Sequence, residues 1–202
     1  LLEDYKKGVM QQLFSSQLRF KDEEGKDYPD WEEIFLGDIL ERTSTGLNPR
    51  KNFVLGSGSN NYVTIKNISN GSLDFSSCEK IDDAAMKLIK KRSDLSKNDL
   101  IMSSIGNVGE AYLLKEEPLN WNINESVFML RASDSVIPKY LYYIITNDYS
   151  KWYFEVNSTG SSFKSIKLGA LKLLPVRLPS NPEQQKIATY LSGIDTKIEA
   201  VN

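Results

Sequence analysis

The sequence predicts a mixed α/β (α+β) chain, a β-rich domain held between two helical ends that form coiled-coil-like packing. Three observations predict it. Strand-like apolar runs crowd the middle of the chain and are separated by turn dipeptides. Two inner segments, Asp82 to Arg92 and Pro138 to about Phe154, carry helical periodicity, and so do both termini.

In chain order, residues 1–14 read as the end of a helix, with Leu2, Tyr5, Val9 and Leu13 on one face and Gly8 weakening it. Residues 15–30 are a polar connector. Strand-like runs follow at Tyr62 to Ile68, Asp99 to Ser104, Glu110 to Leu114 and Ser126 to Leu130. They are divided by Asn70-Gly71, by Gly106-Asn107-Val108-Gly109 and by the Glu116-Glu117-Pro118 break. In the second inner helix Leu141, Ile144 and Ile145 give an apolar face. Its aromatics Tyr142, Tyr143, Tyr149, Trp152 and Tyr153 resemble a base-stacking platform, but aromatics on a helix more often pack, and packing is the expectation here.

The last helix announces its own start. Asn181 suits the N-cap, Pro182 suits the first helical position, and Gln184 stands where a capping-box residue reaches back. Its apolar residues Ile187, Leu191, Ile194, Ile198 and Val201 advance by 4, 3, 4 and 3 positions, the step of a helix-pair seam. A partner helix is expected; a terminal helix docked on its own domain is the alternative.

Composition limits the chemistry. A chain of 202 residues, 40% of them hydrophobic, can bury a full core in one or two domains. No apolar run reaches the ~18 residues of a membrane span, and Leu1-Leu2-Glu3-Asp4 lacks the pattern of a signal peptide, so a cytoplasmic protein without membrane contact is expected. There is no histidine. That removes the commonest general base, the Ser-His and Cys-His pairs and imidazole metal ligands. The single Cys78 has no activating cation beside it in sequence. No phosphate-binding Gly loop or dinucleotide fingerprint occurs, and Gly56-Ser57-Gly58-Ser59 reads as a loop tip. Glu116 and Glu117 form a carboxylate pair, but adjacent residues seldom face one reacting centre. Neither catalytic residues nor metal ligands are expected.

The net charge of −2 speaks against nucleic acid, and its distribution speaks for it. From Asp22 to Glu41 nine acids face Lys26 alone. Arg42 to Lys66 holds Arg42, Arg50, Lys51 and Lys66 without an acid, and Val156 to Pro182 holds Lys164, Lys167, Lys172 and Arg177 without one. Both tracts are rich in small polar residues, including Thr45 and Asn48 in the first and Asn157 and Ser162 in the second. Such loops can approach a duplex closely. Arg50, Lys51, Lys164 and Lys167 are therefore expected on one face with the Ser103 to Gly109 turn nearby, as phosphate contacts. Asn48, Asn107, Asn157 and Ser162 are the candidates for base edges, with turn chemistry as the alternative.

Leu178-Pro179, Pro182-Glu183-Gln184-Gln185-Lys186-Ile187-Ala188 and Leu191-Ser192-Gly193-Ile194-Asp195-Thr196-Lys197-Ile198 together resemble the start of the spacer helix in specificity subunits of type I restriction-modification enzymes. Tyr5-Lys6-Lys7-Gly8-Val9-Met10-Gln11-Gln12-Leu13-Phe14 is similar to the close of such a helix. Trp31 to Asp38 is similar to the entry of a target-recognition domain, and Asn98 to Gly109 to its central strand and turn. The resemblance implies a spacer-helix end at 1–14, a recognition domain at 15–180 and a spacer-helix start at 181–202, about half of a two-domain subunit. It implies that Val9, Leu13, Ile187, Leu191, Ile194 and Ile198 pack helix on helix. For function it implies sequence-specific reading of one half of a split double-stranded DNA target. Thr45, Lys66 and Ser103 join the residues above as expected contacts. Modification and restriction subunits would be the partners, and S-adenosylmethionine, ATP and Mg would be held by them, with no cofactor bound by this chain. A second recognition domain would come in cis or from a homodimer mate. A protein-docking scaffold without DNA binding is the competing reading, which the net acidity favours.

Overall fold

Leu100-Ile101-Met102 and Val127 to Leu130 are buried on both sides of their strands, and this sets the architecture. The computed structural model describes residues 1–161 and 163–201, so Ser162 lies outside the described residues. Its elements run α1 (Leu2–Phe14), β1 (Glu32–Phe35), β2 (Leu40–Thr45), β3 (Asn60–Val63), β4 (Ile68–Ser69), β5 (Ser72–Leu73), β6 (Glu79–Ile81) and α2 (Asp83–Lys90). Then follow β7 (Leu100–Ser103), β8 (Ala111–Leu113), β9 (Trp121–Ile123), β10 (Val127–Ala132), α3 (Pro138–Thr146), α4 (Asp148–Asn157), α5 (Leu168–Lys172), β11 (Pro175–Leu178) and α6 (Asn181–Glu199).

The central antiparallel sheet has the order β2-β10-β7-β8. Because strand side chains alternate, Leu100, Met102, Phe128 and Leu130 enter one core with the helices, while Ile101, Val127 and Met129 enter a second. That second core is closed by Val63 of β3 and Ile123 of β9, from a smaller sheet in the order β6-β3-β9. A sheet covered on both faces reads as continuous apolar runs, which is how these strands read in the sequence. Asn70 and Gly71, both with positive φ, close the β4–β5 hairpin in the manner their dipeptide predicts.

Three expectations are corrected. The helix expected over 138–154 is two helices: Asn147 is extended, accepts a bond from Ser150 N at 2.9 Å and caps α4. The N-cap of α6 is Ser180 rather than Asn181, and Gln184 makes no capping box. Its amide instead donates to the carbonyls of Ser135 (3.0 Å) and Pro179 (2.9 Å) and to Asn181 Oδ1 (3.1 Å), and accepts from Ile137 N at 2.9 Å. The short strands β1, β6, β9 and β11 and helix α5 stand where periodicity gives no signal.

The seam of α6 is filled from within the chain. Ile187, Leu191 and Ile194 share one core with Val9 and Leu13 of α1 and with Tyr140, Tyr143 and Ile144 of α3, and Ile198 is half-buried against it. Lys6 pairs with Asp195 at 2.5 Å near one end of α1, and Arg19, beyond its other end, pairs with Glu183. The two helices therefore run antiparallel, and α6 is at once a partner of α1 and docked on its own domain. Among the described residues no helix is long and apolar enough to cross a membrane.

Candidate nucleic-acid interface

Antiparallel register decides which loops meet. Thr45 pairs with Phe128, Val127 with Ser103 and Met102 with Ala111, so the end of β2, the start of β10, the end of β7 and the start of β8 lie at one edge of the central sheet. Four loops converge there. Gly46 opens the 46–59 loop and donates to Asn124 O at 3.1 Å. A Cβ at Gly46 would lie 1.7 Å from Ile123 O, so only glycine lets this loop cross the backbone of the smaller sheet. Ser104 N donates to Ser126 O at 2.9 Å, joining the 103–110 turn to the 124–126 loop. Gly106 N donates to Lys164 O and Ile166 N donates to Ser104 O, both at 2.9 Å, which lays the 158–166 segment against the same turn.

The expected residues divide by what their side chains already do. Arg50, Lys51, Lys66 and Lys167 are exposed, and among the described residues none of them forms an ion pair. Lys164 reaches Glu155 at 3.0 Å, an exposed pair of small energetic weight that phosphate can compete for. Asn107 is exposed at the tip of the turn. Asn48 accepts from Asn52 Nδ2 through its own carbonyl at 2.9 Å, and Asn157 donates to Tyr153 O at 2.9 Å, so both help shape their own backbone. Ser103 is corrected: it is 1% exposed, its hydroxyl donates to Asn107 O and accepts from Glu110 N at 3.1 Å. It builds the turn and cannot touch a duplex.

Arg92, which lies outside both acid-free tracts, also reaches this end of the sheet. Its guanidinium donates to Thr45 Oγ1 from Nη2 at 3.0 Å and from Nε at 3.3 Å, which brings a cation onto the end of β2. The signal was present as the run Lys87, Lys90, Lys91 and Arg92 on and just after α2. Three acids, Glu110, Glu125 and Glu155, share this end of the sheet, and Glu125 lies 3.4 Å from the Tyr62 hydroxyl. Burial and that carboxylate push the Tyr62 hydroxyl well above its usual range, so it stays neutral.

The acids of the Asp22 to Glu41 tract lie elsewhere. Glu33 pairs with Arg177 at 3.0 Å across β1–β11, and Glu23 pairs with Lys186 of α6 at 2.8 Å. Asp99 forms a two-bond ion pair with Arg131, 2.8 Å on each oxygen, at the opposite edge of the central sheet. Glu117 accepts from Lys97 N at 3.2 Å, which gives the carboxylate pair at 116–117 a local bond. Burial raises the Cys78 thiol, with Lys80 opposing weakly, so it is a poor nucleophile. No cluster of three potential metal ligands occurs among the described residues.

A body with three apolar clusters, loops meeting at one end of its central sheet and antiparallel helices at its flank defines a domain that presents loops from a packed frame. Comparison with known proteins gives its family. The model of the type I restriction modification DNA specificity domain matches residues 28–202, and the chain belongs to that family. It is 29% identical to the type I restriction enzyme MjaIX specificity subunit of Methanocaldococcus jannaschii, over 92% of this chain and 43% of that protein. It is 25% identical to the HindI specificity subunit of Haemophilus influenzae, over 84% of this chain and 36% of that one. Its fold matches the HsdS subunit from Thermoanaerobacter tengcongensis with a TM-score of 0.64 at 18% identity, covering 98% and 45% of the two chains. The type I S subunit from M. genitalium matches at 0.61 and 20%, covering 91% and 42%. The chain spans less than half the length of these relatives.

Proposed function

We propose that this chain reads one half of a split DNA target, with the loop edge formed by residues 46–59, 103–110, 124–126 and 158–166 turned to the duplex. The observation that carries this is the meeting of four loops at one end of the central sheet in a chain of the specificity-domain family, with Arg92 bonded to Thr45 there and Arg50, Lys51, Lys66 and Lys167 exposed in or next to those loops. Exposed cations at a Gly-rich edge attract phosphate through counterion release, and the short side chains between them let backbone and base edges meet.

The work of this chain is positioning and discrimination. A few base pairs at roughly 1 to 3 kcal/mol each cannot separate a target from a genome, so a second half-site is required. That half-site is read by a second recognition domain in cis or by a homodimer mate, with α1 and α6 fixing the separation. Modification subunits flip and methylate an adenine with S-adenosylmethionine, and restriction subunits supply the ATP- and Mg-dependent steps; extracting a base falls to the methylating partner. The test is the sequence methylated by the reconstituted enzyme. Asn107→Ala in the full-length subunit should relax or shift the preference at one position, by roughly 1 to 3 kcal/mol if the contact is bidentate. Unchanged preference after replacing the whole 103–110 turn would move the readout elsewhere.

A further inference from the structure

Phe163 is 72% exposed although it belongs to a tightly held segment. Thr159 and Ser165 exchange both backbone bonds at 2.9 Å, which ties the chain before Gly160 to the chain after Lys164. Gly160 has φ +103, and a Cβ there would lie 2.4 Å from Phe163 O, so the tip closes only around glycine. The segment is in turn bonded to the 103–110 turn through Lys164 O and through Ser104 O. A segment bonded at its base thus carries an exposed aromatic ring, with Thr159, Gly160 and Ser161 shortly before it in sequence and a lysine next after it.

We propose that the Phe163 ring makes the apolar contact of this domain with its half-site, against the C5-methyl group of a thymine in the major groove. This rests on the DNA reading above. Width selects the groove: the major groove, about 12 Å across, admits two adjacent passes of chain such as those joined at Thr159 and Ser165, whereas the minor groove, about 6 Å across, does not without deformation. Chemistry selects the target, because the thymine methyl is the apolar feature on the major-groove edge of an unmodified duplex. Lys164 and Lys167, exposed and within four residues of Phe163, would hold the adjoining phosphates, Lys164 by leaving its surface pair with Glu155.

The test is a cycle between protein and DNA, in the full-length specificity subunit with its modification subunits. Each thymine of the half-site is replaced in turn by deoxyuridine, which lacks only the methyl. At one position the wild-type protein should lose about fourfold in affinity, the contribution of one buried methyl-sized group. Phe163→Ala should lose a similar factor on thymine DNA and nothing further on uracil at that position, while Phe163→Leu retains most of the contact. Unchanged melting temperatures show that the variants fold. Independent effects at every thymine, or a half-site without thymine, overturn the inference. So does a Phe163-dependent rise in 2-aminopurine fluorescence on binding without methyl coupling, which marks a wedge between bases from the minor groove. Absence of DNA binding by the wild type would remove the DNA reading itself, whereas intact binding with no Phe163 coupling removes this inference alone.

Discussion

The two ends of the recognition body are built on opposite terms. At the joint with α6, Glu183 and Gln184 are fully buried and every polar group of their side chains has partners. Glu183 accepts from Arg19 at 3.2 and 2.9 Å and from Trp31 Nε1 at 2.8 Å, and its carboxylate holds the Arg19 guanidinium still further above its usual range. At the loop edge the cations are exposed, most of them without an acid partner among the described residues, and the backbone is shaped by glycines. One end is fixed by satisfied burial and has a single answer; the other is a hydrogen-bonded frame that leaves charged side chains exposed. The family resemblance rests in part on Pro182-Glu183-Gln184, and the last two of these residues lock the angle between helix and domain.

Breaking the joint should cost the most stability and leave the reading edge intact. Glu183→Ala takes from Arg19 its buried carboxylate partner, leaving it the Tyr28 and Pro29 carbonyls, and leaves Trp31 Nε1 without its acceptor; it should destabilise by about 3 kcal/mol, lowering the melting temperature by roughly 6 to 12 °C. Below that temperature, DNA affinity at the half-site should stay within about twofold of wild type. A stable variant with weakened DNA binding would show that the two ends are not independent.

Gly46→Ala sharpens the contrast from the other side. Its Cβ collides with Ile123 O, so the end of β2 must shift, at about 2 kcal/mol in stability. Here DNA binding should fall by more than the stability loss implies, because the 46–59 loop pivots on this residue. Calorimetry and binding measured on the same preparation check it.

The smallest effect on stability should come from lengthening α6 beyond its core contacts. Inserting four residues after Glu199 in the full-length subunit adds about 6 Å of helix and close to one full turn. The gap between half-sites should lengthen by one or two base pairs, with both half-site sequences unchanged in the methylation pattern. A constant gap would deny these helices the role of spacer.

Legibility in the sequence follows the same division. Apolar runs buried on both faces, the Asn70-Gly71 turn and the 4-3-4 step from Ile187 to Ile198 are readable because burial and turn geometry leave few alternatives, whereas Val201, the expected last position of that seam, is exposed beyond the end of α6. Strands β1, β6, β9 and β11 are three or four residues long and owe their pairing to distant partners, such as Glu33 opposite Arg177, which no local pattern encodes. Asn147 splits a helix because its amide caps better than it continues. At the loop edge, charge tracts mark Arg50, Lys51 and Lys164 as candidates, and all three are exposed, but whether a polar side chain faces solvent or its own backbone is decided by register. Ser103 and Asn107, four apart in one turn, fall on opposite sides of that decision.

The central claim is that the loop edge binds phosphate, and its direct measurement is the salt dependence of DNA affinity in the full-length subunit. Neutralising Arg50, Lys51, Lys66 and Lys167 together should weaken binding to all sequences about equally. The slope of log affinity against log salt should fall by about one unit for each phosphate no longer neutralised, some three to four units in all. A fourfold variant with wild-type affinity and an unchanged slope would contradict the account and return this edge to the role of a protein-docking surface.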